Sequence, residues 1–239
     1  MSMENHLLII RQNDFLAQLS DDDYENLDIA HNIVLAEKSS YIYFDAHQID
    51  KLYFVKEGLV RIGNVDNEGN EFIRDILQPG DVFGQVNLMP DNLRGEFAQA
   101  YKSDVALCSF TIQRFERLLG QRPDLAITFA KKVGLRMRRI ENRLLNLLQK
   151  DVRTRVLYFF WTLVAQNGES DLNTFVLPNY LTHDDIARLT GTSRQTVTML
   201  INQFAAEGLL EVDRQTIKLH DIKLWRKRPK SDKQSLPYR

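Results

Sequence analysis

Residues 181–204 read LTHDDIARLTGTSRQTVTMLINQF, and their signals predict two short helices joined by a tight turn. Thr182 and Asp185 have the spacing of a capping box, which begins the first helix. Gly191 can adopt the left-handed conformation that ends this helix, and Ser193 can cap the second. The second helix then carries one apolar face, formed by Val197, Leu200, Ile201 and Phe204.

The opposite face of the second helix carries mostly polar side chains over its first turns, and we expect these to be exposed. Arg194 and Gln195 begin this face, and Thr198 and Met199 follow one turn later. A helix that buries its rear and presents polar groups from its N-terminal half suits reading of the DNA major groove. A helical hairpin inside a core is the alternative, but it has no need of Ser-Arg-Gln-Thr at this place. The stretch therefore predicts a DNA-binding helix-turn-helix.

Composition limits the other classes of function. The 239-residue chain has a single cysteine, Cys108, which by itself cannot hold an iron–sulfur cluster or a zinc site. We expect no metal site, no signal peptide, no membrane span and a cytoplasmic location. Residues 1–150 carry 18 basic and 22 acidic side chains, whereas residues 151–239 carry 13 and 10. The modestly basic C-terminal part suits contact with double-stranded DNA.

From about residue 33 to residue 111 the apolar residues alternate, which is typical of short β-strands. Strand-like runs occur at 41–44, 51–55, 59–62, 71–77, 97–101 and 105–110. Glu57-Gly58 is predicted to be a hairpin turn between two of these runs. Many short strands separated by turns predict an antiparallel barrel or sandwich.

Helical spacing resumes after the strands, and a long helix is predicted from Pro123 to about Lys150. Its apolar residues repeat about every seven positions, which favours self-association in a coiled coil. This predicted dimer seam includes Val133, Met137, Ile140, Leu144 and Leu147. The other face is basic, with Lys131, Lys132, Arg136, Arg138, Arg139 and Arg143. A surface helix within one domain is the alternative.

Asp151 is predicted to cap the next helix, so a domain boundary is placed between Lys150 and Asp151. A polar loop is predicted at 166–173. Two short strands on either side of 213–215 are predicted to form a wing, and its basic side chains, Arg214 and Lys218, could reach backbone phosphate. The predicted domains are a β-rich unit at 1–122, a dimerisation helix at 123–150, a winged helix-turn-helix at 151–228 and a basic tail at 229–239.

Three motifs in this order resemble the CRP/FNR family of bacterial transcription regulators. They are LYFVKEGLVRI at 52–62, PGDVFG at 79–84 and LTHDDIARLTGTSRQTV at 181–197. The resemblance implies an α+β fold: an N-terminal antiparallel β-roll of the cyclic-nucleotide-binding type, that is, a jelly-roll or double-stranded β-helix, followed by a long dimerisation helix and a C-terminal winged helix-turn-helix. It also implies a homodimer on an inverted-repeat DNA site, and RNA polymerase as a partner.

The resemblance assigns roles to the DNA-reading residues. Arg194 matches the family arginine that reads guanine, whereas Gln195 replaces a common glutamate and Met199 replaces a frequent second arginine. We therefore expect a half-site that differs from the best-known family consensus. The residues whose positions support phosphate contact in the family are Thr182, Ser193 and Thr196.

The match is weaker in the effector-binding segment, and the effector stays unassigned. The positions that the family uses for a cyclic nucleotide correspond to Gly84, Gln85, Arg94, Gly95 and Ile140. Gln85 replaces the glutamate that holds ribose, Gly95 replaces a serine or threonine, and Ile140 replaces a threonine that reaches adenine. Glu96, beside the phosphate position, would repel an anion. Cyclic AMP is therefore disfavoured, although a cyclic-nucleotide-dependent regulator using Gly84 and Arg94 remains an alternative.

Other sensors and other functions have less support. A haem would need an axial ligand such as His47, and we do not expect one. Cys108 lies in an alternating strand and is predicted to be a buried apolar residue instead of a redox switch. A regulatory cyclic-nucleotide-binding module that acts on a protein partner is a further alternative, although such modules lack the segment 193–199. No nucleophile–base pair or phosphate loop supports an enzyme.

Overall fold

The computed structural model of the protein describes residues 15–20, 23, 33–44, 50–86, 88, 95–167, 169–171 and 174–220. The chain forms two compact units, Met1–Met137 and Arg138–Arg239. Their boundary falls inside the long helix that the sequence predicts. None of the described helices is long and apolar enough to cross a membrane.

The first unit is built on an antiparallel sheet. After a short 3-10 helix at Leu16–Gln18, its strands are β1 Ile33–Ala36, β2 Tyr41–Phe44, β3 Lys51–Val65, β4 Glu71–Leu77, β5 Val82–Gly84 and β6 Glu96–Thr111. The order is β1-β6-β3-β4, with β2 paired to β6 and β5 paired to β3. The two long strands β3 and β6 therefore organise this unit.

The predicted hairpin turn at Glu57-Gly58 is wrong, because β3 continues through it. The register with β6 shifts on both sides of Glu57, which makes this point a bulge. Gly58 has φ +78°, and a Cβ there would lie 2.4 Å from the carbonyl oxygen of Asp104. The runs at 97–101 and 105–110 likewise belong to one strand, β6. A bulge bends a strand without ending it, and this explains the error.

Aromatic side chains fill the core beneath the helices α1 Ile112–Gln121 and α2 Pro123–Gln149. The Phe15 ring stacks on Phe54 at 5.2 Å, and the Phe115 ring meets Phe129 edge-on at 5.0 Å. Phe129 belongs to α2, so the beginning of this helix packs on its own β-domain. Val133 also packs against this core. Val133, one turn after Phe129, is therefore part of the unit's own packing instead of a purely intermolecular seam.

The basic face predicted for α2 also needs correction at two positions. Lys132 Nζ donates a hydrogen bond to Gly80 O at 3.1 Å, and Arg136 donates one to Val82 O. These side chains bind one carbonyl group in the turn before β5 and one at the first residue of β5. They hold α2 against the sheet, so their role is internal.

The second unit contains α3 Val152–Asn167, β7 Glu169–Asp171, β8 Thr174–Pro178, α4 His183–Thr190, α5 Arg194–Ala206, β9 Leu210–Val212 and β10 Thr216–His220. Its sheet has the order β7-β8-β10-β9. The predicted polar loop at 166–173 is wrong in part, because β7 lies within it. The pairing of β7 with β8 is made by backbone groups. The sequence of β7, Glu-Ser-Asp, has no apolar residue, so it gave no alternating pattern from which a strand could be predicted.

Candidate nucleic-acid interface and effector segment

The capping box at the beginning of α4 is confirmed. Thr182 Oγ1 accepts a hydrogen bond from Asp185 N at 3.1 Å, and Asp185 Oδ2 accepts one from Thr182 N at 2.7 Å. Gly191 ends the helix with φ +64° and ψ +49°, which is the left-handed conformation. These local bonds fix where the first helix of the pair begins and ends.

A second cap fixes the beginning of α5. Ser193 Oγ accepts a hydrogen bond from Thr196 N at 3.1 Å and lies 2.8 Å from Thr196 Oγ1. The hydroxyl groups of Ser193 and Thr182 are thus engaged in caps. The contact of Thr182, Ser193 and Thr196 with phosphate stays a prediction.

The two faces of α5 divide as the sequence predicts. Its rear is buried through Val197, Leu200, Ile201 and Phe204. Its front forms a shallow concave surface lined by Arg194, Gln195, Thr198, Met199 and Asn202. Met199 is 59% exposed although it is apolar. The sequence prediction missed Asn202, whose spacing of four from Thr198 and three from Met199 places it on the same face.

Thr198 differs from Arg194 and Gln195 on this surface because its hydroxyl both donates and accepts a hydrogen bond within the chain. Its hydroxyl donates to Arg194 O at 3.0 Å, and His183 Nδ1 lies 2.8 Å away. A hydroxyl has one proton, so His183 must be the donor to Thr198. Within the described residues, no hydrogen bond engages the side chains of Arg194 and Gln195, which are exposed. These two side chains are available to a partner.

The wing is the turn between β9 and β10. Asp213 Oδ1 accepts hydrogen bonds from Gln215 N at 2.7 Å and Thr216 N at 2.6 Å. These bonds, led by the one from Gln215, hold the pKa of Asp213 below its usual value. Arg214 lies exposed at the tip. Lys218 lies in β10, where its Nζ is 3.9 Å from a Glu211 carboxylate oxygen, so Arg214 alone of the two is a tip residue.

The remaining seam residues of α2 form an exposed apolar stripe. Met137, Ile140 and Leu144 are each more than half exposed. Leu148, one turn after Leu144, extends this stripe, and Leu147, which is 38% exposed, lies beside it. Exposed apolar area of this kind is typical of a surface that another protein covers. That this stripe pairs with a second protomer stays a prediction.

The effector segment begins with two tightly placed residues. Gly84 has φ +83°, and a Cβ there would lie 2.4 Å from Lys51 O. Gln85 is buried, and its backbone amide donates to the same oxygen at 3.0 Å. Gly95 closes the segment, where its oxygen accepts a hydrogen bond from Val65 N at 2.6 Å. Arg94 and the haem candidate His47 lie outside the described residues.

A polar cluster that the sequence did not reveal lies just after this segment. The side chain of Glu96 is 6% exposed and forms an ion pair with Arg74. It also accepts a hydrogen bond from Tyr43 OH at 2.6 Å. Burial, and then the Glu96 carboxylate, raise the pKa of Tyr43 above its usual value. The chain's own residues thus satisfy this carboxylate inside the β-domain.

Comparison with known proteins agrees with both units. Residues 34–122 match the model of a cyclic nucleotide-binding domain, and residues 154–227 match that of a Crp-like helix-turn-helix domain. The transcriptional regulator SdrP of Thermus thermophilus is 33% identical, over 73% of this chain and 81% of that protein. A CRP-like cAMP-activated global transcriptional regulator of Mycobacterium tuberculosis is 26% identical, over 75% of this chain and 80% of its own length.

Solved structures lead to the same family. The transcriptional regulator TTHA1359 of Thermus thermophilus, described as CRP/FNR family, superposes with a TM-score of 0.57 and is 30% identical. The alignment covers 81% of this chain and 96% of that one. This chain belongs to the CRP/FNR family of transcription regulators.

Membership of the CRP/FNR family confirms the predicted fold: a β-domain of the cyclic-nucleotide-binding type followed by a DNA-binding helix-turn-helix. The family consists of transcription regulators and not of enzymes. Ile140, assigned to the effector by resemblance, is 59% exposed on the apolar stripe of α2. Its role toward an effector stays a prediction.

Cys108 has the buried, apolar environment that the sequence predicts. Its side chain is fully buried, and burial raises the pKa of its thiol to about 11. A protonated, inaccessible thiol is a poor redox sensor. Among the described residues, no group of three or more His, Cys, Asp or Glu side chains is arranged to hold a metal ion.

Proposed function

We propose that this regulator acts as a homodimer that binds an inverted-repeat DNA site and controls transcription through contact with RNA polymerase. The observation that carries the proposal is the concave front of α5, where the side chains of Arg194 and Gln195 are exposed and unengaged. The exposed apolar stripe of α2 supplies a surface for the second protomer. In such dimers the two recognition helices enter major grooves about 34–36 Å apart.

The residues on α5 also support a particular half-site chemistry. Arg194 can form two hydrogen bonds with guanine, and Gln195 can do the same with adenine, in place of the cytosine contact that glutamate makes. Met199 cannot donate a hydrogen bond but can contact a thymine methyl group. We therefore infer a half-site with guanine next to an A·T pair.

For the sensing domain we propose that cyclic AMP is not the effector, and we assign no haem or iron–sulfur cofactor. The Mycobacterium tuberculosis relative is cAMP-activated, so the β-domain of this family can serve a cyclic nucleotide in that protein. Here a buried Gln85 stands in place of the glutamate that holds ribose, and Glu96 places a carboxylate beside the segment. A cyclic phosphate would meet this carboxylate.

One selection experiment tests both proposals. The full-length protein is used to select DNA from a random library, with and without cyclic AMP at about 1 mM. This concentration is about a hundredfold above a dissociation constant of about 10 μM for cyclic AMP, so a site of that affinity would be almost fully occupied. We expect the selection to enrich an inverted repeat that contains guanine beside A·T pairs. The protein should bind this DNA with the same affinity with and without cyclic AMP.

Other outcomes would separate the alternatives. Recovery of the unaltered family consensus would contradict the roles of Gln195 and Met199. Enrichment only with cyclic AMP would support the cyclic-nucleotide-dependent regulator. Enrichment of no sequence in either arm would favour the module that acts on a protein partner.

A further inference from the structure

One arginine joins the end of α2 to the turn of the helix-turn-helix. Arg155, in the first turns of α3, donates from Nη1 to Lys150 O at 3.1 Å. It also donates from Nε to Thr190 O at 3.0 Å and from Nη2 to Gly191 O at 3.1 Å. All these residues lie in the second compact unit. A single planar side chain therefore links three carbonyl groups on two separate chain segments.

The three acceptors explain why a guanidinium group is suited to this place. Lys150 follows the last residue of α2, Thr190 is the last residue of α4, and Gly191 is its cap. Carbonyl groups at the ends of helices have no partner within the helix, and the helix dipole favours a cation there. Two helix ends therefore meet at Arg155. A lysine ammonium group is a compact point charge and cannot reproduce the forked geometry.

A close steric contact lies beside this junction. A Cβ at Gly191 would lie 2.9 Å from Leu147 Cδ2, so the turn before α5 packs directly on the last turns of α2. The backbone amide of Thr192 is held by Ala187 O at 2.9 Å, and that of Lys150 by Asn146 O at 3.0 Å. The turn and the helix end thus meet as rigid segments. Arg155 joins the turn and the helix end by hydrogen bonds, and the contact of Leu147 with Gly191 limits how closely they can approach.

We propose that Arg155 is a positioning residue that sets the orientation of the recognition helix α5 relative to the end of α2, and thereby selects the half-site spacing. The proposal rests on the proposed dimer, because spacing has meaning only when two recognition helices read one DNA site. Arg155 contacts no base in this role. It acts through the turn at Gly191, immediately before the cap of α5.

The test is the dependence of binding on spacing. The full-length parent protein is titrated with the selected inverted repeat and with versions in which the central spacer is one base pair longer or shorter. One base pair rotates a half-site by about 34–36° on B-DNA. We expect the parent to prefer the selected spacing by at least about tenfold, and Arg155→Lys to reduce this preference to about threefold or less. Discrimination against a changed base within the half-site should stay unaltered, which a general loss of folding would not produce.

Arg153→Lys is the matched control. Arg153 also lies in the first turn of α3, where it pairs with Glu207 and stacks on Phe204, 5.0 Å from the ring centre. It does not donate to the carbonyl groups of the junction. We expect this variant to keep the parental spacing preference. An unchanged preference in Arg155→Lys, or an equal loss in both variants, would overturn the proposal.

A second measurement needs no DNA. Amide hydrogen exchange is compared between the parent and Arg155→Lys at Lys150 and Thr192, with the α5 amide of Val197 as internal reference. We expect at least about tenfold faster exchange at the first two amides only, because local opening follows the lost link. If Arg155→Lys does not unfold cooperatively, Arg155→Gln replaces it, since glutamine can still donate to one carbonyl.

The two measurements separate the two levels of inference. If the parent selects no inverted repeat but exchange accelerates as expected, the dimeric DNA-binding proposal fails and the mechanical link of Arg155 holds. If the parent selects a repeat and neither spacing preference nor exchange changes in the variant, the positioning role fails and the DNA-binding proposal stands.

Discussion

The Glu96 carboxylate of the β-domain and two aspartates of the C-terminal unit are satisfied in different ways. In the β-domain, Glu96 lies in the interior and is satisfied by side chains, Tyr43 OH at 2.6 Å and the Arg74 guanidinium. In the C-terminal unit, Asp151 and Asp213 accept hydrogen bonds from backbone amides, at the beginning of α3 and at the wing. The first arrangement pairs a buried carboxylate inside the β-domain. The second fixes the backbone and leaves the outward side chains of α5 unengaged.

The Glu96 carboxylate is thus engaged by the chain itself, whereas the side chains of Arg194 and Gln195 on the front of α5 are not. The exposed Arg194 and Gln195 side chains meet an incoming partner without first breaking internal bonds. An anion that took the place of Glu96 on Arg74 would leave the buried carboxylate with the Tyr43 hydroxyl but without its cationic partner, which is costly. Substitutions on the two sides of this contrast should therefore change different quantities, DNA affinity for the front of α5 and the free energy of unfolding for the Glu96 cluster.

Arg194→Ala should weaken binding to the selected DNA site most strongly. A bidentate arginine–guanine contact contributes about 1–3 kcal/mol of discrimination, which corresponds to a loss of roughly 5- to 150-fold in affinity. A gel-shift titration at constant salt measures it. The variant should also bind sites with the guanine replaced almost as well as the selected site.

Arg114→Ala is the matched control, because it removes the same charge from an exposed position on α1. Its affinity for the selected site should stay within about twofold of that of the parent. Equal binding of Arg194→Ala and the parent at every site would show that α5 is not the reading helix.

Glu96→Ala should destabilise the β-domain by about 1–3 kcal/mol, because Tyr43 loses a buried acceptor. The loss of the Arg74 pair adds little, since the Arg74 side chain is 47% exposed and water screens it. Both tryptophans, Trp161 and Trp225, belong to the C-terminal part. Urea unfolding followed by far-ultraviolet circular dichroism should therefore show an earlier transition, while tryptophan fluorescence keeps the parental midpoint.

Glu71→Ala is the control for this variant. Glu71 also pairs with an arginine and a tyrosine, Arg61 and Tyr41, but its side chain is 31% exposed. Because this cluster is more exposed to water, Glu71→Ala should lower the free energy of unfolding by less than about 1 kcal/mol. A cost for Glu71→Ala equal to that for Glu96→Ala would contradict the special position of Glu96.

The same contrast explains which features the sequence could predict. The caps at Thr182 and Ser193 and the turn at Gly191 join residues three to five positions apart, so local spacing was enough to identify them. The cluster of Glu96 joins Arg74, 22 positions away, and Tyr43, 53 positions away. Such a meeting depends on strand register, which shifts next to Tyr43 and at Arg74 and which no short pattern encodes.

The junction at Arg155 was missed for a related reason. A sequence pattern places Arg155 on the first turns of a helix but does not show that two helix ends converge on it. The seam of α2 shows the limit of periodicity in the same way. Val133 follows the seven-residue repeat, yet it packs in the core of its own unit, because the beginning of the helix already lies on the β-domain. Periodicity predicts a face without identifying its partner.

Asp151→Ala should have the smallest effect of the three, about 1 kcal/mol of unfolding free energy at neutral pH, as for loss of a helix cap. Asp151 Oδ1 accepts a hydrogen bond from Thr154 N at 2.8 Å. This bond is the main cause that holds the pKa of Asp151 below its ordinary value of 3.8. A carboxylate whose folded pKa is depressed stabilises the fold above its unfolded pKa, and this contribution is lost as the pH falls through the folded pKa.

The gap between parent and Asp151→Ala should therefore be constant from pH 7 to about pH 5 and should close progressively below the unfolded pKa. Urea midpoints from tryptophan fluorescence measure it, since Trp161 lies on the helix that Asp151 caps. Asp184→Ala, which removes a surface ion pair with Arg188, should shift the midpoint by about half as much or less. A gap that widens in acid would show that the uncharged Asp151 side chain, and not its carboxylate, stabilises the beginning of α3.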